Sequence, residues 1–447
     1  MSGPRGAAYA LVALGTLTGC APAEDASSIV ATSTLAELVP TVVIVEWETP
    51  EPSRGHVEFS VVGEERRATP AEAEATRTHS RTLLGLPVGV DVEFTIFDEE
   101  GALGAAQTLA TGAMPTDWAA LTVVGEASWE GFVVLGVAGA MADLVVLDNR
   151  GRPVWWWTDV SADDQVIRAL PAADRSGMLA SFGGTRVGES ATIALSDWQA
   201  GTQGSVEVPE FTHDFLERGD GGFAALTFAF HDDETGAECI SDAVTEFDFG
   251  GAYEPIWDTW DAYAGLTQPC DAYIEGWSHA NALDWDEASQ TYTVGMRNLA
   301  TLSVVDRAAR AELWSLGEYG SVALADPKKG FIGQHQFERL PDGNVLVFDN
   351  GASNTKISRV VELSADTESG VAEIVWSYAP APAVYVYALG DVKRLPNGNT
   401  LVDWSTSGRL EEVTPEGETA WQLDAALGAE FGYMHVFDSF YPASPAG

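Results

Sequence analysis

HQFERLPDGNVLV, from His335 to Val347, returns as GDVKRLPNGNTLV from Gly390 to Val402 and as HDFLERGDGGFAA from His213 to Ala225. In each copy a glycine (Gly343, Gly398, Gly221) stands eight residues after the first position. Pro-Asp-Gly and Pro-Asn-Gly are tight-turn sequences: proline presets φ and glycine accepts the positive φ that lets adjacent antiparallel strands meet. A third strand and a fourth rich in tryptophan follow the hairpin. Arg359–Leu363 precedes Glu373–Trp376, Arg409–Val413 precedes Thr419–Trp421, and Leu144–Asp148 precedes Val154–Trp155. Four short strands per unit, recurring every forty to sixty-five residues or so, is the signature of a β-propeller. Six units are expected, opening near Leu121, Gln165, His213, His279, His335 and Gly390, with Tyr433–Asp438 as a last strand that closes the ring on the first unit. The fold class is all-β, and the six-bladed propeller is assigned to residues 119–447.

Residues 29–114 carry a different pattern. Thr41–Trp47, His56–Val61 and Asp91–Phe97 alternate apolar and polar residues as half-buried strands do. With the stretch Thr82–Gly89 leading into the last of these, the layout resembles a fibronectin type III β-sandwich, which implies a spacer or docking platform. The first nineteen residues read as a signal peptide, a short apolar run from Ala7 to Leu17 ending in Leu17-Thr18-Gly19-Cys20. That ending resembles the bacterial lipobox. It implies cleavage before Cys20, lipidation of Cys20, a tether over residues 20–28, and a protein held to the membrane by its lipid alone. Ala21 after the cysteine favours the outer membrane of the cell envelope, on its periplasmic or surface face. Lys and Arg number 23 against 67 Asp and Glu, a net charge of −44, which argues against nucleic-acid partners and anionic surfaces. In an exported protein Cys239 and Cys270 are a possible disulfide.

Seven histidines occur, and three of them, His213, His279 and His335, hold the same register in consecutive units. The first residues of innermost propeller strands converge at one mouth of the central channel, so these imidazoles are expected to meet there. The hairpin after His279 turns around Asp286–Gln290, which sets Arg297 across from His279 on the neighbouring strand. Imidazoles beside a guanidinium suit an oxyanion, with donors for its oxygens and a base or nucleophile at hand. Structural alternatives exist for each group: hydrogen bonds between units for the histidines, and a salt bridge for Arg297. Lys356 and Arg359 follow the Asp349-Asn350-Gly351 turn and read as surface charge. Trp155, Trp277 and Tyr385 are candidate aromatic walls.

Trp277-Ser-His279-Ala-Asn281, Gly295-Met-Arg297-Asn-Leu299, Gly333-Gln-His335-Gln336, the run Gly343–Gly351 and Thr212-His213-Asp214 together resemble the bacterial arylsulfotransferases that work without the nucleotide donor PAPS, over about residues 119–440. The resemblance implies that His335 becomes transiently sulfated, that His213, His279 and Arg297 hold the sulfuryl oxygens and assist the leaving phenol, and that aryl sulfate donors and phenolic acceptors are the substrates. An N-sulfonated imidazole fits this chemistry, because it divides one difficult transfer into two easier ones. No cofactor or metal is called for: no glycine-rich phosphate loop occurs, and a nearby arginine disfavours a metal among the histidines. Two rivals share the sequence, an aryl sulfate hydrolase with the same site and a non-enzymatic propeller that binds a surface partner.

Overall fold

The computed structural model describes residues 29–114, 120–138, 144–158, 166–184, 186–265, 276–426 and 430–443. The signal peptide, Cys20 and its tether, Gln165 and Cys270 lie outside the described residues. The chain is all-β, and its one α-helix among these residues is the short Thr259–Tyr263.

Beyond residue 120 the strands form six antiparallel sheets in sequence order. Sheet two runs through Val166–Pro171, Gly177–Gly183, Ser190–Asp197 and Thr202–Pro209. Sheet three is Phe211–Glu217, Phe223–Asp232, Glu238–Phe247 and Tyr253–Asp258, and sheet four is Ala280–Asp286, Thr291–Met296, Thr301–Asp306 and Ala311–Gly317. Sheet five is Phe337–Arg339, Val345–Asp349, Arg359–Asp366 and Val371–Tyr378, with Ala323–Leu324 added in parallel at its edge. Sheet six is Asp391–Arg394, Thr400–Asp403, Arg409–Val413 and Thr419–Ala425.

Sheet one differs from expectation in an instructive way. Its consecutive strands are Phe132–Ala138, Leu144–Asp148 and Pro153–Trp157, and its first position is filled from the far end of the chain by His435–Phe437, which pairs with Phe132–Val134. The expected closing strand is therefore present. Leu121–Gly125, expected to open the first unit, instead pairs outside Thr419–Ala425 as a fifth strand of sheet six. Each end of the six-sheet region is thus built into a sheet belonging to its other end, which pairs edges that would otherwise be exposed.

The sheets pack on one another in cyclic order. Val134, Trp155 and Met178 join sheets one and two; Ile193 and Phe215 join two and three; Val244 and Tyr292 join three and four. Leu302 and Val345 join four and five, Phe348 and Trp404 join five and six, and Leu401 with Val133 closes six onto one. A strand covered on both faces has no polar side, which is why Leu144–Asp148 and Val345–Asp349 are buried at every residue. Val43–Ser53, by contrast, alternates buried and exposed over its first half. It belongs to the N-terminal unit, where a sheet of Ala31–Leu35, Val43–Ser53 and Thr76–Leu83 faces one built on His56–Val61 and Asp91–Asp98 across Val45, Trp47, Phe59 and Phe94. That unit docks on sheet one and the C-terminal tail: Thr41 Oγ1 donates to Val154 O at 2.7 Å, and Tyr441 Oη donates to Thr82 O at 2.8 Å.

Candidate functional site

His213 lies in the first strand of sheet three, His279 immediately precedes that of sheet four, and His335 stands two residues before that of sheet five. The shared register therefore places all three at one end of adjacent sheets. The His213 and His279 rings are 4.8 Å apart between centroids. Arg297 follows the second strand of sheet four, where its N–H donates to His279 O at 3.0 Å, the cross-strand pairing expected from the hairpin. The residue is half-buried, its guanidinium donates to Asn298 Oδ1 at 3.2 Å, and it has no carboxylate partner among the described residues.

Burial and electrostatics tie the four groups together. His213, His279 and His335 are 8%, 6% and 2% exposed. Burial pushes the His213 imidazole well below its usual range, and the fields of His279, His335 and Arg297 push it the same way. Burial likewise pulls His335 down to about 3, with Arg297 and His279 adding to it. Both imidazoles are neutral at ordinary pH. Two of the three histidines also sit in the left-handed region, with φ of 56° at His213 and 48° at His279. A non-glycine residue there costs about 1–3 kcal/mol, a strain that clusters at sites where side-chain aim matters more than local comfort.

His335 has a defined tautomer. Its Nδ1 is 2.8 Å from Asn350 Oδ1. Both hydrogens of the Asn350 amide are already committed, to Val386 O at 3.0 Å and Leu389 O at 2.9 Å, so Oδ1 can only accept. Nδ1 therefore carries the proton, and Nε2 carries the lone pair. Asn350 had no role in the sequence reading, although a signal existed: it is related to His335 about the Pro341–Gly343 turn much as Arg297 is to His279 about its own hairpin.

The residues beside the histidines lock the strands to one another. The Asp214 carboxylate is fully buried and accepts from Arg168 Nε at 2.7 Å and Arg168 Nη2 at 3.1 Å, from Leu283 N at 2.9 Å and from Gln336 Nε2 at 2.8 Å. One carboxylate thus joins the first strands of sheets two, three and four to the residue after His335. Asn281 Nδ2 donates to Gln334 O at 2.9 Å, and Tyr433 Oη donates to Asn281 O at 2.8 Å. Asp214→Ala would leave the Arg168 guanidinium buried with only Asp391 nearby, at 3.6 Å. Losing one partner of such a pair is expected to cost about 3–5 kcal/mol, read as a lowered denaturant midpoint.

Of the remaining expectations, the aromatic walls are not met by Trp155 and Trp277. Trp155 is core: it packs on Trp198 and donates to its carbonyl at 2.9 Å. Trp277 is buried in the core between sheets three and four, and Tyr385 is half-buried. Arg359 pairs with Asp349 at 2.7 Å, while Lys356 is exposed. Cys239 is disulfide-bonded, and Cys270 lies outside the described residues. A cavity of about 870 Å³ opens at the opposite end of the sheets, lined by Glu217, Asp286, Arg339 and Lys393, and contains none of the three histidines.

A family model described as Arylsulfotransferase (ASST) matches residues 137–425, a span that includes His213, His279, Arg297 and His335. No curated protein matches the chain. Among solved structures it is similar to a protein of unknown function from Bacteroides caccae, at 13% identity over 69% of this chain and 100% of that one, with a TM-score of 0.42. It is also similar to the periplasmic gluconolactonase PpgL of Pseudomonas aeruginosa, at 13% identity over 86% and 99% of the two chains, with a TM-score of 0.40.

Proposed function

The chain belongs to the arylsulfotransferase family, and from that premise we propose that it moves a sulfuryl group from an aryl sulfate to a phenolic acceptor through a sulfated His335. The observation that carries this reading is the neutral His335 imidazole, its Nδ1–H held by Asn350 and its Nε2 lone pair left for attack. In the first half-reaction the Nε2–S bond forms, the aryl S–O bond breaks, and the departing aryl oxide takes a proton. In the second a phenol oxygen attacks sulfur, the N–S bond breaks, and the phenol proton leaves. His279 and His213 are the groups at hand for those protons, and Arg297 supplies fixed positive charge to the sulfuryl oxygens. The donor is the ester itself, with no nucleotide-activated sulfate.

In this reading the six cyclically packed sheets are the blades of a propeller, and the N-terminal pair of sheets is a fibronectin type III-like spacer. Cys20 carries a lipid that holds the exported protein to the cell envelope at the outer membrane.

Release of nitrophenol from nitrophenyl sulfate, with and without added phenol, tests the function. Phenyl sulfate as product supports the transferase; inorganic sulfate at an unchanged rate favours a hydrolase, and no release under any condition favours a binding protein.

Asn350→Asp gives a sharper check on the nucleophile. A carboxylate accepting from Nδ1–H stabilises the imidazolium, so the His335 pKa rises from its low native value. Below the new pKa, Nε2 is protonated and cannot attack. The acid limb of the donor half-reaction is therefore expected to move to higher pH, with full rate recovered at alkaline pH. An unmoved limb would remove Asn350 from this role.

A further inference from the structure

Cations are scarce in this chain, 23 against 67 carboxylic side chains, so a lysine or arginine that stays unpaired is unusual. Among the described residues of the six sheets and their loops, the charged side-chain nitrogens of four, Arg186, Arg297, Lys328 and Lys356, have no carboxylate oxygen within 4.0 Å, although the backbone N–H groups of Arg186 and Lys328 donate to Glu189 and Asp326; the other side chains have one. All four stand at the histidine end. Arg186 lies between the second and third strands of sheet two, and Lys356 between those of sheet five, the same end as Arg297 after the second strand of sheet four. Lys328 lies in the turn Pro327–Lys329, which is held there because Arg359 donates to Lys329 O at 2.8 Å and Gly330 O at 3.1 Å. Arg359 in turn pairs with Asp349, the neighbour of Asn350 that orients His335. At the other end of the sheets the cations are neutralised: Arg218 by Asp220, Arg339 by Asp286 and Lys393 by Glu338. The chain has four lysines, 328, 329, 356 and 393, and the first three flank the His335 end of sheet five.

Arg186, Lys328 and Lys356 are exposed, so they are not there to balance buried charge. In a chain of net charge −44, exposed side chains whose positive charge stays unpaired give a small anion a local attraction at that end, even with Glu189, Asp233, Glu234 and Asp326 there, and leave neutral molecules unaffected. We propose that Arg186, Lys328 and Lys356 form a cationic rim that captures the anionic sulfate ester of the donor and steers it towards Arg297 and His335. This rests on the transferase reading above and adds an asymmetry to it: the donor half-reaction uses the rim, and a neutral phenol does not.

The test compares wild type with the triple variant R186Q/K328Q/K356Q, which leaves the histidines and Arg297 in place. In ping-pong kinetics, kcat/KM for 4-nitrophenyl sulfate reports the donor step alone, and kcat/KM for phenol reports the acceptor step alone. At low salt the variant's donor kcat/KM is expected to fall by roughly 3- to 10-fold, with its dependence on NaCl flattened, while the phenol value stays within error. Calorimetric binding of 4-nitrophenyl sulfate, measured with His335→Ala added to both proteins so that no sulfuryl group can be accepted, supplies a readout independent of turnover, and is expected to weaken by a similar factor. An equal donor kcat/KM and an equal affinity in the two proteins would overturn the rim. Charge-dependent binding of the ester by a wild type that never transfers sulfate would leave the rim standing and overturn the transferase.

Discussion

His335→Ala is expected to abolish turnover, because it removes a buried, neutral imidazole whose Nδ1–H is fixed by Asn350. The covalent step is visible directly. Wild-type enzyme trapped on donor without acceptor should be about 80 Da heavier, the mass of an added SO₃, and the alanine variant should show no gain. The adduct should be acid-labile, since protonating the imidazole makes it a better leaving group. Peptide mapping decides the assignment. A label on His213 or His279 would move the nucleophile while leaving the activity intact, and an active, unlabelled His335→Ala protein would end the covalent mechanism.

Arg297→Ala has the second largest expected effect, a loss of about 10²–10³-fold in kcat, the range seen when one fixed donor to a developing anion is removed. The reason is positional. Arg297 is half-buried beside the imidazoles, its backbone is tied to His279 O, and it has no carboxylate to neutralise it among the described residues. Its charge is therefore available to the sulfuryl oxygens. The loss should appear mainly in kcat rather than in KM if the contact strengthens as charge spreads over those oxygens. A change confined to KM would reassign Arg297 to ground-state binding of the ester.

Much of this protein can be read from short stretches of chain. The Pro-Asp-Gly and Pro-Asn-Gly turns mark hairpins because their backbone preferences are local. The repeat of those hairpins separates successive sheets, and a shared register puts His213, His279 and His335 at the same end of their strands. Even the pairing of Arg297 with His279 follows from counting back across one turn, since antiparallel strands oppose residues symmetrically about it.

What the tertiary structure decided lies between sheets, where no short-range periodicity reaches. Leu121–Gly125 looked like the start of the first unit because a strand pattern does not say which edge it will join; its partner is Thr419–Ala425, at the other end of the chain. Asp214 meets Gln336 across 122 residues, and the bond depends on the rotation of one sheet against another. The proton on His335 depends on an amide whose two hydrogens are claimed by a third segment, at Val386 and Leu389. Strand, turn and register follow from local backbone chemistry; tautomer, charge pairing and ring closure are set by neighbours that only packing brings together.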